Sequence, residues 1–473
     1  MPLHQEISNR KTEQSSYQER VRTINKKYLL TEGNVWKALL FFVVPIILGS
    51  LIQQLYITTD TMIVGRYVGK TGLAAIDSVH TLFKFPVNFM NGLAAGVTIV
   101  ISGYYGAKDR ENLHCSIRTA ITVAILLGIF CAVAGVLLTP ALLNIMDVPE
   151  EVYLQAMRYC QVYFGSIWAM ILYNMSAGIL RAMGNTHQPL LILIFSSIMN
   201  IGLDFIFIKG FQWGVQGAAL ATAAAQILSM IWILNSISKQ EKGLGQKKIW
   251  HLHFCKEHMV MMVKKGFPLA LQSMMFPAAN SIVQAAVNQM GTNAIAAWGI
   301  CDKMDMLIWL VSDAIGPAMT AYVAQNIGAG KRGRVKKGIA AGLTMSVTAV
   351  AVISSVLYWK AEVIGNWFLT STDASAIIPL IIQYMRVMAP FFIFYTVSEV
   401  CSGVCCGEGH TMETMIMTLL TICLLRIVAV WAILPIYRNM ECIVWIYVAS
   451  WIVSGVAFSG MMLFFLKTQK FRF

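Results

Sequence analysis

Four side chains with oxygen donors fall at comparable depths in the first half of this 473-residue chain: Asp60, Asn200, Asp204 and Thr222. Asp60 follows Lys37 by 23 residues, which at about 1.5 Å per residue places it roughly 34 Å along a helix. Asp204 follows Pro189 by 15 residues, roughly 22 Å along another, and Asn200 one turn earlier shares its face. Thr222 stands about 12 Å from Gly214 on a helix that runs the opposite way. Carboxylate, amide and hydroxyl oxygens suit a hard cation such as Na+, and carboxylates also take protons. Plainer roles stay open at this point. Asp60 could anchor a helix end at an interface, and Asp204 could pair with Lys209 at a surface. Asn200 and Thr222 could bond one helix to another.

The second half holds a more mixed set. Asp302 and Asp305, three apart, can share one helical face toward a cavity. Lys303, Arg386, Glu399 and Arg426 lie in apolar surroundings as well, where pairing such as Arg426 with Glu399 is the structural alternative. The 28 methionines and 51 aromatics supply adaptable apolar surface. Trp168 and Tyr173 on one apolar stretch, with Met274 and Met275 on another, are candidates for contact with lipophilic cations.

The elements that must position these residues follow from composition. Only 12% of the chain is charged, 57% is hydrophobic, and mean hydropathy is +0.64. Too little charge exists to clothe a water-soluble globule, so the solvent for most of the chain is lipid. That excludes an ordinary soluble enzyme, a disordered regulator and a disulfide scaffold. The ten cysteines are read as offering no CxxC or CxxH metal spacing, hence as metal-free, with Cys401, Cys405 and Cys406 as small packing residues. No HExxH, Walker A or GxSxG pattern occurs, which argues against an enzyme and against ATP-driven pumping. The net charge of +13 is scattered between apolar runs rather than gathered on a basic face, so nucleic acid is not an expected partner.

Apolar runs between Gly, Pro and charged breaks number twelve, near 37–64, 72–102, 113–139, 150–180, 188–208, 214–237, 264–290, 293–326, 337–358, 374–404, 412–435 and 441–466. No period-two alternation appears, so the fold class is all-α and polytopic. If the N-terminus is cytoplasmic, 26 Lys and Arg fall in or beside inner segments and 5 in outer ones, which puts both termini inside the cell membrane. Residues 1–36, polar and without the apolar core of a signal peptide, form an inner tail. Residues 37–237 and 264–467 form two lobes of six helices, joined by a basic inner linker at 238–263, and 468–473 form a second tail.

The lobes are repeats. Pro45 pairs with Pro268 and Gly106-Ala107-Lys108 with Gly328-Ala329-Gly330, at offsets of 223 and 222. The turn Ala182-Met183-Gly184-Asn185 pairs with Cys405-Cys406-Gly407-Glu408 at 223. Six helices per copy gives both copies one orientation, related by an axis along the membrane normal.

Pro45 through Asp60, Gly103-Tyr104-Tyr105-Gly106-Ala107-Lys108, Gly178-Ile179-Leu180-Arg181-Ala182-Met183-Gly184-Asn185-Thr186 and Ala324-Gln325-Asn326-Ile327-Gly328-Ala329-Gly330-Lys331 resemble the multidrug and toxic compound extrusion (MATE) family, prokaryotic branch. The resemblance covers residues 30–467. It implies a secondary active exporter of amphiphilic and cationic compounds, exchanged for H+ or Na+ by alternating access. It also implies that Asp60, Asn200, Asp204 and Thr222 meet as one coupling site. Bending of the first helix at Pro45 would then reshape that lobe's cavity. Asp305 resembles the acid many members carry after Ala296-Ala297-Trp298-Gly299. An acid in the seventh helix, found in other members, is replaced here by Gln272, Asn280, Gln284 and Asn288. Small molecules and the bilayer are the implied partners, with no cofactor beyond the coupling ion and no obligate protein partner. The alternative is a flippase of the same superfamily acting on lipid-linked oligosaccharides.

Orientation is open to direct measurement. Gly243→Cys should react, above the labelling of the parent chain, only with a reagent that enters the cytoplasm. Val148→Cys, beside Asp147, Glu150 and Glu151, should react from outside. The reverse pattern overturns the assigned direction.

Overall fold

A computed structural model describes residues 30–244, 254–369 and 371–468. The remainder of the two tails and part of the 238–263 linker lie outside the described residues. Long apolar runs with few internal breakers fold as helices, and no strand occurs among the described residues. In the first repeat these are α1 (Val35–Tyr67), α2 (Lys70–Ala107), α3 (Arg110–Ile145), α4 (Glu150–Ala182), α5 (His187–Asp204, continued by a π-turn over Phe205–Gly210) and α6 (Gly214–Gly243). In the second they are α7 (Lys256–Asn288), α8 (Thr292–Gly328), α9 (Arg332–Asn366) and α10 (Ser371–Met388 and Phe392–Gly407, broken by a 3-10 turn at Ala389–Phe391). α11 comprises Thr411–Thr418 and Leu425–Ile433 around a π-turn at Leu419–Leu424, and α12 is Met440–Thr468. Pro45 lies within the continuous α1.

Eleven of the twelve are long and apolar enough to cross a membrane, and α7 is not among them. Its Lys264, Lys265, Gln272, Asn280, Gln284 and Asn288 dilute its hydropathy. Those amides have partners inside the protein: Gln272 Nε2 donates to Thr418 Oγ1 at 3.1 Å, and Gln284 Nε2 to Asn288 Oδ1 at 3.0 Å. Counting apolar runs alone finds this helix; a hydropathy threshold passes over it. The molecule is a multi-pass membrane protein.

Helix ends are marked by local chemistry. Asn34 Oδ1 accepts from the backbone N–H of Trp36 at 2.9 Å and so caps α1. Asp109 caps α3 through the N–H of Asn112 at 3.1 Å. The side-chain and backbone hydrogen bonds from Asn112 hold this half-buried carboxyl below the usual range. At the equivalent turns Lys108 (φ 58°) and Gly330 (φ 69°) take the left-handed conformation that ends a helix.

One pairing of the repeats needs correction. Asn185 N–H donates to Leu180 O, and the same bond in the second repeat runs from His410 N–H to Cys405 O. Gly184 (φ 86°) therefore corresponds to Gly409 (φ 91°), not Gly407. Two residues have been added before that turn, and shared small residues in Cys406-Gly407 obscured the shift.

The chain divides into two compact units. One comprises residues 1–90, 100–262 and 328–330, the other 91–99, 263–327 and 331–473. Within the first, α3 turns Phe130 and Leu137 outward while Gly128 and Gly135 face α4. A Cβ at Gly128 would lie 3.0 Å from Trp168 Cα, and one at Gly135 would enter the Phe164 ring. Without a hydrophobic force between helices in lipid, such small residues create the contact surface. Within the second unit Gly403 of α10 packs on the backbone carbonyl of Gly316 in α8, and a Cβ there has no room.

Gly403→Ala should therefore destabilise the second unit by about 1–3 kcal/mol, since backbone rather than a flexible side chain must move. Gly460→Ala, with open space around its Cβ, should be neutral. Thermal unfolding in detergent compares them, and equal stabilities would refute this reading of the α8–α10 contact.

Candidate functional site

In the first unit Asn200 and Asp204 occupy one face of α5 and are 1% and 0% exposed. Asn200 Nδ2 reaches Thr222 Oγ1 on α6 at 3.4 Å. The same hydroxyl lies 3.2 Å from the Tyr56 hydroxyl, one turn before Asp60 on α1. The carboxyls of Asp60 and Asp204 lie close enough for their charges to interact. The four residues read from spacing thus come together across α1, α5 and α6. Tyr56 joins them, and its i−4 position relative to Asp60 was the signal available in the sequence.

The cluster is short of donors. Asp60 Oδ1, both carboxylate oxygens of Asp204 and Asn200 Oδ1 are buried without a hydrogen-bond partner. Buried acceptors facing one another without an intervening positive charge are costly, and a proton or a bound cation relieves that cost. Lys209 does not do so: its ammonium lies 5.7 Å over the Tyr67 ring. The surface-pair alternative for Asp204 is therefore not what the geometry contains. Aromatic rings close the first unit nearby, with Phe83 and Tyr163 centroids 3.9 Å apart and Phe83 and Tyr159 5.9 Å apart.

Of the aromatic candidates, Tyr173 donates to the backbone carbonyl of Pro189 at 3.2 Å, and Trp168 backs onto Gly128. Both are half-buried. Pro45 is buried within α1.

The second unit contains a cavity of about 670 Å³. Trp298, Asp302, Asp305, Trp309 and Asp313 of α8 face it at spacings of four, three, four and four, one continuous helical stripe. Glu399 and Arg426 complete its charged wall. Tyr384 donates to Asp305 Oδ2 at 2.9 Å and Tyr395 to Asp313 Oδ1 at 3.4 Å. Arg426 does not pair with Glu399 as the sequence alternative had it. Its Nε donates to Ser450 at 2.9 Å, its Nη1 to Asn280 at 3.0 Å, and its guanidinium lies 3.9 Å over the Tyr447 ring. Asp313 escaped the sequence reading, although its place on the Asp302–Asp305 stripe was visible. Met274 is half-buried and Met275 is 37% exposed, and neither lines this cavity; Phe276 does.

Comparison with known proteins fits this architecture. The MatE family model matches residues 45–206 and 268–432, two stretches that begin at the repeat-related Pro45 and Pro268. A probable multidrug resistance protein YoeA of Bacillus subtilis (strain 168) is 27% identical over 450 residues, 93% of this chain and 96% of that protein. A solved structure described as an outward-facing multidrug resistance MATE family transporter superposes with a TM-score of 0.85 at 19% identity, covering 93% of this chain and 98% of that one. Another, a MATE protein in the bent conformation, gives a TM-score of 0.85 at 18% identity over 93% and 97%. With the family's pattern spanning both repeats, the chain belongs to the MATE family of multidrug efflux transporters.

Proposed function

We propose that this protein is a secondary active exporter of amphiphilic, mainly cationic compounds, driven by inward movement of H+ or Na+ across the cell membrane with both termini cytoplasmic. The observation that carries the reading is the donor-poor cluster of Asp60, Asp204 and Asn200 in the first unit. A proton or Na+ supplies the positive charge that these oxygens lack. Its binding is worth different amounts in two arrangements of the lobes only if the oxygens separate in one of them, and that difference is the coupling. Tyr56 and Thr222 hold the amide of Asn200 in place. The four carboxylates around the second cavity favour cationic over anionic compounds.

Cation occupancy and compound binding then alternate. A cation entering from outside neutralises Asp60 and Asp204 and biases the lobes toward one arrangement, and its inward release resets them. Pro45 removes one backbone N–H from α1 and clashes with the preceding turn, so that helix bends at low cost.

Dye efflux from proteoliposomes under separately imposed pH and Na+ gradients tests this. Asp60→Asn and Asp204→Asn should each reduce gradient-driven efflux to background at normal protein levels. Asn200→Ala and Thr222→Ala should weaken apparent cation affinity by about 1 kcal/mol, roughly fivefold, because water can replace one neutral ligand. Asp305→Asn should chiefly change which compounds are moved. Parent-like efflux by Asp60→Asn refutes the coupling site, and failure of both gradients to move any dye favours the lipid-linked oligosaccharide flippase.

Pro45→Ala gives a separate test. It should insert and fold as the parent does while turnover falls several-fold. Unchanged turnover would reduce Pro45 to a packing residue.

A further inference from the structure

We propose that Cys115, Cys255 and His258 form a zinc site that ties the inter-repeat connection to the start of α3. The Sγ atoms of the two cysteines and a ring nitrogen of His258 lie within 4.8 Å of one another. All three belong to the first compact unit. Cys255 and His258 are spaced C-x-x-H at the beginning of α7, a spacing that brings both side chains to one side of a first helical turn. The reading of the cysteines as metal-free missed it.

His258 is the second observation, and it is independent of the sulfurs. It is 8% exposed, and neither ring nitrogen has a hydrogen-bond partner. Its ring is packed against Tyr104, with centroids 5.5 Å apart. A buried imidazole without a partner is costly. A metal bound through one nitrogen removes that cost and suits the adjacent pair of soft sulfurs. The backbone around the site is already fixed, since Cys255 N–H donates to Thr119 Oγ1 at 3.2 Å. At the residue before Cys115, His114 Nδ1 lies 2.9 Å from Glu241 on α6, which anchors the α3 side.

The structure joins Cys115 to Cys255 as a disulfide with Cα atoms 6.7 Å apart. On the cytoplasmic side, where the proposed orientation puts this connection, thiols are kept reduced. Two equivalents of a small thiol reduce the bridge, giving two protein thiols and one small-molecule disulfide. Zn2+ then binds both sulfurs and one His258 nitrogen and displaces two protons. Tetrahedral coordination with Zn–S near 2.3 Å separates the sulfurs by roughly 3.8 Å, and the wide Cα spacing accommodates that opening. Water supplies the fourth ligand. The clamp holds the segment entering α7 against α3, so it acts on the connection between the repeats and not on the coupling oxygens. It rests on the exporter reading only through orientation.

The test uses the full-length chain in detergent, reduced with a phosphine, stripped with a chelator and titrated with Zn2+ alone against a chromophoric chelator. One Zn2+ per chain is expected, with a thiolate-to-metal absorption band when Co2+ replaces it. Cys115→Ser, Cys255→Ser and His258→Ala should each lower affinity at least tenfold, and Cys442→Ser should not. His258→Cys should restore binding with a stronger sulfur band, which separates lost ligation from lost folding. Absence of stoichiometric Zn2+ binding, or full retention in the three variants, overturns the proposal. So does finding the pair wholly disulfide-bonded in protein trapped by alkylation in intact cells. None of these readouts involves transport, so their failure leaves the coupling site untouched.

Discussion

Carboxylates without donors, held inside a lipid-solvated protein, are the constraint around which the first repeat is arranged. Asp204 is fully buried, Asp60 faces it, and four oxygens in the cluster lack partners. Apolar surroundings give such oxygens no water to fall back on, so the cost is relieved by whichever positive charge can enter. A bound lysine would have removed the cost permanently and with it any reason for a mobile cation to bind. Lys209 is close in sequence yet its ammonium is drawn over Tyr67. The π-turn at Phe205–Gly210 follows Asp204 directly and reorients the chain between the carboxylate and that lysine.

The second repeat handles buried charge differently. Its acids on α8 receive phenol hydroxyls: Tyr384 for Asp305 and Tyr395 for Asp313. Its buried cation has neutral oxygens and an aromatic face rather than a carboxylate partner. An arginine so held stays charged without pairing with Glu399. The two repeats thus share a fold but not a charge balance. One leaves its buried acid oxygens short of donors, and the other supplies phenol hydroxyls to Asp305 and Asp313.

Much of this was legible in the sequence because lipid imposes a coarse code. Twelve apolar runs became twelve helices; depth made the oxygen-bearing residues candidates, and only the family resemblance implied that they meet, as they do across α1, α5 and α6. What escaped was what depth and period do not encode. Tyr56 reads as an ordinary aromatic in an apolar run, and only its contact with Thr222 gives it a role. Asp313 was overlooked because attention stopped at the Asp302–Asp305 pair, although the same stripe continues. The register of the turn at Gly409 was misjudged because two inserted residues changed the offset from 223 to 225, and only the left-handed φ values identify the equivalent glycines. Arg426 was paired with Glu399 on charge alone, whereas Asn280, on a helix 146 residues earlier, is its actual partner.

That last contact bears on why α7 alone of the twelve helices falls short of the hydropathy of a spanning helix. Asn280 Oδ1 accepts both from Arg426 Nη1 and from the Tyr447 hydroxyl at 3.3 Å, and Gln272 donates to Thr418. A helix carrying these amides inserts poorly by itself, and the penalty falls once α11 and α12 provide partners. The cavity therefore depends on residues that weaken the insertion signal of the helix bearing them. A hydrophobic α7 would cross more readily but would leave Arg426 without Asn280, a buried guanidinium short of an acceptor. The polar stretch that obscures this helix from a hydropathy threshold is the stretch that allows a charged cavity to exist in the second repeat.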